Sequence, residues 1–156
     1  MILDRMKWMD EVGIDQWNNT EYDKVYPISY FQDHADNGRV FVLINTRSGN
    51  ISAAAVLKDE DDRWEFPEEK LLDYRYPDSA RYLHNFVADR GDKGAGRIFM
   101  LLAEMHLRES GISYFRLDSA LGNEKLEKYY SDMDFIPVGT CIDGLYTGIL
   151  RQKELK

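Results

Sequence analysis

Arg90-Gly91-Asp92-Lys93-Gly94-Ala95-Gly96-Arg97 is the stretch of this chain best suited to holding a charged ligand. Its three glycines let backbone N–H groups approach a ligand with no Cβ in the way. The stretch follows an apolar run, Tyr82 to Ala88, and opens a long helical pattern that begins at Gly96. A helix N-terminus presents unpaired N–H groups and a partial positive charge, so this junction suits a phosphate and hence a phosphorylated cofactor. Two other readings stand beside it. The chain has no Walker A run, but Gly94 and Gly96 fit part of a dinucleotide fingerprint, with Phe99 in the third glycine's place. Asp118 follows at about the distance expected of a ribose-binding acid, although too little chain remains for a doubly wound sheet. The stretch is also readable as a glycine-rich turn that binds nothing.

Composition narrows the function classes. A chain of 156 residues is expected to form one domain, 1–156. Hydrophobic content of 44% and charged content of 31% are ordinary for a globular protein. A net charge of −8 argues against nucleic acid as a partner and is compatible with a cationic small substrate. Cys141 is the only cysteine, which points to a reducing compartment. No apolar run approaches membrane-spanning length. Asp4, Arg5, Lys7 and Asp10 interrupt the N-terminus, so no signal peptide is read and the expected location is cytoplasmic. No cluster of His, Cys or Asp has metal-ligand spacing, and no metal is expected.

The loop must be positioned by a mixed α and β framework. Ile2, Leu3, Met6, Met9 and Val12 share roughly one helical face, with Gly13 as a stop. Pro27 suits the start of a helix to about Asp36, closed by Asn37-Gly38. Val40–Ile44 and Ile51–Leu57 read as strands joined by a turn at Arg47–Asn50. Asp59–Asp62 reads as a solvated acidic loop, and residues 64–80 as irregular with one short helix at 68–74. Tyr82–Ala88 is strand-like. In the helix after the loop, Ile98, Leu101, Leu102 and Met105 repeat at helical spacing. Phe99, Met100, Ala103 and Leu107 add apolar surface, which predicts a helix covered on more than one side and ended by Gly111. Ile112–Asp118 is a strand, and Leu126, Tyr129, Tyr130 and Met133 mark a further helix. Phe135–Ile142 and Leu145–Leu150 are two closing strands.

Beyond the loop comes Asn123-Glu124-Lys125-Leu126-Glu127-Lys128-Tyr129-Tyr130-Ser131-Asp132-Met133-Asp134-Phe135. It resembles the pattern Asn-x-x-Ala/Leu-x-x-x-Tyr-x-x-x-Gly-Phe of GNAT-type N-acetyltransferases. Leu83-His84, Phe115-Arg116-Leu117-Asp118, Val138-Gly139-Thr140 and Gly13-Ile14-Asp15-Gln16-Trp17 resemble a bacterial branch of the same superfamily. Each motif alone is weak, while their order and spacing cover nearly the whole chain. The resemblance implies an α/β (α+β) fold: a curved mixed sheet, splayed between its fourth and fifth strands, with helices on both faces. Tyr82–Ala88 would be the fourth strand and Ile112–Asp118 the fifth. Acetyl-CoA would lay its pantetheine in the splay and its pyrophosphate on the loop. The chain departs from the family in four places. The Arg or Gln of the family loop falls on Gly91 in one register and on Lys93 in another. Asp134 replaces the Gly before Phe135. The chain begins within the first helix, so the family's first strand is expected to be missing. Asn85 follows His84 where the branch often has Arg.

An alkylammonium of pKa near 10.4 is neutral about once in 10³ to 10⁴ at pH 7, so freeing the amine costs roughly 4–5 kcal/mol unless a base assists. The leaving thiolate needs a proton, proximity supplies most of the remaining advantage, and strand N–H groups can polarise the thioester carbonyl. By resemblance, Tyr130 is the acid that protonates the thiolate. By periodicity it is a core tyrosine, with Tyr129 expected to be the packed one of the pair. His84, on the face shared by Tyr82 and Phe86, is either a base relaying a proton or a hydrogen-bonded strand histidine. Asp118 either binds a cationic acceptor, helps the base, or caps the following loop. Asn123 suits an N-cap, and the family places it near the pantetheine. The implied cofactor contacts are Phe86, Val87 and Ala88 along the strand and Arg90, Gly91, Lys93, Gly94, Ala95, Gly96 and Arg97 in the loop, with Asn123 and Tyr130. His34 and His106 are expected on helix surfaces, and Cys141 as a small apolar strand residue. Glu60, Asp61, Asp62, Glu68 and Glu69 read as a solvated charge run or an acidic rim. The implied activity is acetyl-CoA-dependent transfer to a primary amine of a small molecule or peptide. The alternative is a CoA-binding module of this fold without catalysis. A homodimer is neither indicated nor excluded.

Overall fold

The computed structural model describes residues 1–14, 21–64, 79–144 and 146–155. Among them the elements run α1 (Ile2–Val12), α2 (Tyr22–Val25), α3 (Ile28–Asp36), β1 (Val40–Ile44), β2 (Ile51–Lys58), a 3₁₀ turn (Asp62–Trp64) and β3 (Ala80–Ala88). Then come α4 (Ala95–Glu109), β4 (Tyr114–Ala120), α5 (Glu124–Ser131), β5 (Ile136–Asp143) and β6 (Tyr146–Glu154). The short α2 and the 3₁₀ turn are elements the sequence did not announce. The helix expected at 68–74 and the last three residues of the Gly13–Trp17 motif lie outside the described residues. Gly13 ends α1 at φ 67, and Asn37 with Gly38 closes α3, as their positions predict.

Six strands make one mixed sheet, in the order β1-β2-β3-β4-β6-β5. β1 and β2 are antiparallel from Val40↔Val56 to Ile44↔Ile51. Their turn is an Asx turn in which Asn45 Oδ1 accepts from the N–H groups of Arg47 and Ser48. β6 lies antiparallel to both β4 and β5. β3 and β4 are the parallel pair. Their register runs from Ala80↔Tyr114 to Leu83↔Leu117 and no further. Two residues past Leu83, Asn85 takes φ 53, a left-handed conformation that breaks the strand's alternation. Asparagine tolerates it, and here the side chain is held on both sides. Asn85 Nδ2 donates to Tyr22 Oη, and Asn85 Oδ1 accepts from Tyr30 Oη at 3.2 Å. The alternation that would put Phe86 on the His84 face therefore does not carry through the strand. Asp134, standing where the family pattern has glycine, is also left-handed, at φ 65.

The chain divides into two compact units, Met1–Leu57 with Asn85–Leu102 and Lys58–His84 with Ala103–Lys156. In the first, α4 begins directly after the glycine loop. In the second, Trp64, Ala80, Tyr82, Cys141 and Leu150 form a buried cluster, with Tyr114, Val138 and Tyr146 packed against it. Arg116 is fully buried beside this cluster. Its Nε donates to Gln152 Oε1 and its Nη1 to Tyr82 Oη, both at 2.8 Å, and its guanidinium lies 4.5 Å over the Trp64 ring.

Two sequence expectations are corrected. On α4, Phe99, Met100, Ala103 and Leu107 are buried, whereas Ile98, Leu101, Leu102 and Met105 are exposed. The helix is covered along one face, and the apolar stripe at regular spacing is the other one. The acidic run Asp59–Asp62 is not wholly solvated, because Asp61 is buried and Asp62 opens the 3₁₀ turn. An isolated carboxylate is rarely buried without a partner, and sequence alone showed none.

Two substitutions test this framework. Replacing Asn85 by Val should cost about 1–2 kcal/mol more than replacing it by Gly, measured by denaturant unfolding, because only Val resists the left-handed backbone. Equal losses would mean that the backbone there is not left-handed. At Gly148, a Cβ would lie 2.8 Å from Tyr146 Cε1 and 2.9 Å from Cys141 Sγ. Gly148→Ala should therefore destabilise by about 1–3 kcal/mol through overpacking, and an unchanged unfolding midpoint would contradict that packing.

Candidate functional site

The glycine loop belongs to the first unit and is braced by its own polar groups. The Asp92 carboxylate accepts from Asn45 Nδ2 at 3.0 Å and from Ser52 Oγ at 2.5 Å. Those two bonds, Ser52 first, hold its pKa below the ordinary carboxylate value. Gly91 N–H donates to Asp89 Oδ1 at 2.8 Å, and Ala95 N–H to the Asp92 carbonyl at 3.1 Å. Gly94 has φ 87 with open space where a Cβ would stand, so glycine is required there by backbone conformation and not by crowding. Among the described residues no acceptor meets the N–H groups of Gly96 and Arg97, in the first turn of α4. Lys93 and Arg97 are exposed beside them.

Of the other sequence-predicted cofactor residues, Val87 is buried and Phe86 stacks on Phe99 with ring centroids 5.2 Å apart. The Ala88 carbonyl accepts from Arg5 Nη2 at 2.5 Å. Arg90 lies 4.2 Å over the Trp8 ring, and the Arg5 guanidinium is 5.3 Å from the same ring. Burial, and then the neighbouring Arg90, lower the Arg5 pKa from its ordinary value. Arg5 and Trp8 were not singled out from sequence; on α1 they look like ordinary surface residues, and only the fold brings them to the loop's first arginine.

A second polar group forms in the other unit. His84 and Asp61 are both buried, with His84 Nε2 3.1 Å from Asp61 Oδ2. Asp118 joins them: one side-chain atom from each of Asp61, His84 and Asp118 lies within 4.8 Å of the others. Burial raises the Asp61 pKa, but the His84 hydrogen bond and charge, with the Arg63 N–H bond, outweigh it and hold the group below its ordinary value. Arg63 Nη1 donates to Asp118 Oδ1 at 3.3 Å and Arg63 Nη2 to Asp143 Oδ2 at 2.9 Å. Arg63 thereby sets one positive charge against two of these carboxylates. Tyr146 Oη donates to Asp118 Oδ2 at 2.5 Å. Burial first, and then Asp118, push the Tyr146 pKa up.

Tyr130 sits on α5, whose N-cap is Asn123: its Oδ1 accepts from Leu126 N–H at 3.2 Å. Tyr130 is buried and Tyr129 only half-buried, the reverse of the sequence expectation for the pair. The Tyr130 ring packs edge-on to Phe135, and the Tyr130 carbonyl accepts from the Phe135 N–H at 3.0 Å. Burial, then Tyr129 and Asp118, raise its pKa far above the ordinary phenol value, with Arg151 opposing. The phenol therefore keeps its proton at neutral pH and can serve as a donor and not as a base. Arg151 is itself buried and donates from Nε to Ser119 Oγ at 3.1 Å.

Of the residues in this group, the sequence analysis names His84, Asp118 and Tyr130 as candidates and Asp61 only within an acidic run, and it does not single out Arg63, Tyr146 or Arg151. Asp61 was masked by its acidic neighbours, and the other three carried no motif. His34 packs on Tyr30, and His106 is exposed. Burial raises the Cys141 pKa to about 11, so its thiol is protonated at neutral pH, in keeping with a small apolar strand residue. No helix among the described residues is long and apolar enough to cross a membrane.

No protein-family model matches the chain, and no curated protein matches it. Solved structures do. A GNAT-family acetyltransferase from Listeria monocytogenes is similar over 99% of this chain and 85% of its own, at 24% identity and a TM-score of 0.73. A putative acetyltransferase from Staphylococcus aureus is similar over 87% and 85%, at 16% identity and a TM-score of 0.62. Naa20 from Chaetomium thermophilum, solved in complex with a bisubstrate analogue, is similar over 83% and 74%, at 12% identity and a TM-score of 0.63. With its open mixed sheet, its single parallel pair at β3–β4 and the glycine loop leading from β3 into α4, the chain has the GNAT acetyltransferase fold.

Proposed function

We propose that this protein is an acetyl-CoA-dependent N-acetyltransferase acting on a primary amine of a small molecule or peptide. The observation that carries the reading is the loop between β3 and α4: a left-handed Gly94, a pinned Asp92, and first-turn N–H groups at Gly96 and Arg97 with no acceptor among the described residues. The pyrophosphate of the cofactor would be held by those N–H groups, with charge from Arg90, Lys93 or Arg97. Gly91 and Ala95 would shape the loop and not donate, since their N–H groups are already bonded. The backbone of Phe86, Val87 and Ala88 and the Asn123 side chain are the proposed pantetheine contacts. The known structures of similar fold support acetyl transfer as the general chemistry.

The step needs no reactant beyond acceptor and thioester, and its one net proton leaves through His84 to solvent. His84 accepts a proton from the acceptor ammonium. The freed nitrogen lone pair attacks the thioester carbon, the C–N bond forms, and the C–S bond breaks. Tyr130 gives its proton to the departing thiolate and regains one from the newly acylated nitrogen. Holding the two reactants together supplies several kcal/mol of the acceleration. Asp118, with Arg63 and Tyr146 already on its oxygens, would orient an acceptor by sharing those bonds and not by offering a bare charge.

Free-thiol release from acetyl-CoA, measured against polyamines, aminoglycosides, amino acids and short peptides, tests the reading. Release with at least one amine is expected. Binding of acetyl-CoA with no release from any of them would favour the non-catalytic module. Tyr130→Phe should lower kcat about 10²-fold or more with little change in acetyl-CoA affinity, and unchanged turnover would remove Tyr130 as the acid.

A further inference from the structure

The geometry points to Asp61 as a positioning residue that keeps a proton on His84 Nε2, so that Nδ1 is the nitrogen left to exchange a proton with the acceptor. This rests on the proposed function for what the imidazole does, but the claim about Asp61 concerns the histidine's tautomer and stands on contacts within one unit. Both side chains are buried, at 6% exposure each, and His84 Nε2 is 3.1 Å from Asp61 Oδ2. Asp61 Oδ1 is fixed independently by the Arg63 backbone N–H at 3.1 Å. The carboxylate is therefore anchored at one oxygen and presents the other to the ring. An anionic oxygen accepts only, so the ring nitrogen facing it must carry the hydrogen.

The surroundings favour that assignment over an idle ion pair. From β4, Asp118 adds a second negative charge within reach of the ring. From the 3₁₀ turn, Arg63 balances it and ties it to Asp143 on β5. From β6, Tyr146 donates to Asp118. Tyr82 on β3 and Cys141 on β5 lie within the electrostatic reach of Asp61, and both stay protonated at neutral pH. Tyr130 and Arg151 complete the group around Asp118. A carboxylate so placed does two things to a base. It removes the tautomer with the wrong nitrogen protonated, and it stabilises the imidazolium formed once the acceptor's proton arrives.

Asp61→Asn, nearly isosteric, tests the assignment. Nitrogen-15 spectra of the His84 ring in the full-length protein should show the Nε2–H tautomer alone in the wild type and a shift toward Nδ1–H in the variant. A wild-type ring that populates both tautomers, or a variant spectrum identical to it, overturns the proposal. In thiol release, Asp61→Asn should lower kcat at least tenfold with KM for acetyl-CoA unchanged. It should also move the acidic limb of kcat/KM to lower pH, because the charge that favours the imidazolium has gone. A loss confined to KM, or an unmoved acidic limb, counts against the proposal. Asp61→Glu, which keeps the charge, should recover the acidic limb if the carboxylate and not the packing is responsible. If the wild type transfers acetyl to no amine, the proposed function fails, while the tautomer spectrum still decides the role of Asp61.

Discussion

The parallel pairing of β3 with β4 stops after four residue pairs, at Leu83↔Leu117, and much of the chemistry turns on where it stops. The next pair in register would be His84 opposite Asp118. Their backbones do not bridge; their side chains gather instead, and Asp61, which precedes both strands in sequence, joins them in space. Past that point Asn85 is left-handed. A residue in that conformation breaks the strand's regular alternation, and two tyrosine hydroxyls hold it there. A backbone distortion is kept where the surroundings over-determine it, and such distortions concentrate at functional sites.

Two different devices organise the polar groups of the two units. The loop uses backbone: Asp92 braces it through Asn45 and Ser52, Asp89 takes one N–H, and first-turn N–H groups of α4 are left over. Preorganised N–H groups cost little when the ligand arrives. The cluster around Asp118 uses side chains, with Arg63 set against three carboxylates. Burial there makes each missing partner expensive, and each hydrogen-bonded one correspondingly decisive for orientation. Tyr130 and Tyr146 stay protonated in this environment for the same reason: burial and nearby carboxylates disfavour phenolate.

What was legible in the sequence followed local signals. Gly13, Asn37-Gly38 and Asn123 marked helix ends correctly because capping is a property of a few neighbouring residues. Five strand-like runs became strands within two residues of the expected limits, while β6 runs four residues past its expected end at Leu150. Two of the family departures proved informative: Asn85 and Asp134 both occupy left-handed backbone. The failures were all non-local. The even apolar coat of α4 hid which face is covered, and only packing chose Phe99 and Met100 over Ile98 and Leu101. Asp61 sat in a run of four acids, where nothing local separates the buried one from its neighbours. Tyr129 and Tyr130, adjacent on one helix, exchanged their expected roles because burial depends on where α5 lands.

Calorimetric titration of acetyl-CoA into the wild type and Gly94→Val tests most directly the proposed seating of the cofactor's pyrophosphate on the β3–α4 loop. One site per chain with a Kd of about 1 μM to 1 mM is expected in the wild type. In Gly94→Val, which forces a β-branched residue into left-handed backbone, the affinity should fall at least about tenfold. No heat of binding at millimolar acetyl-CoA, or equal affinity in the two proteins, would contradict it.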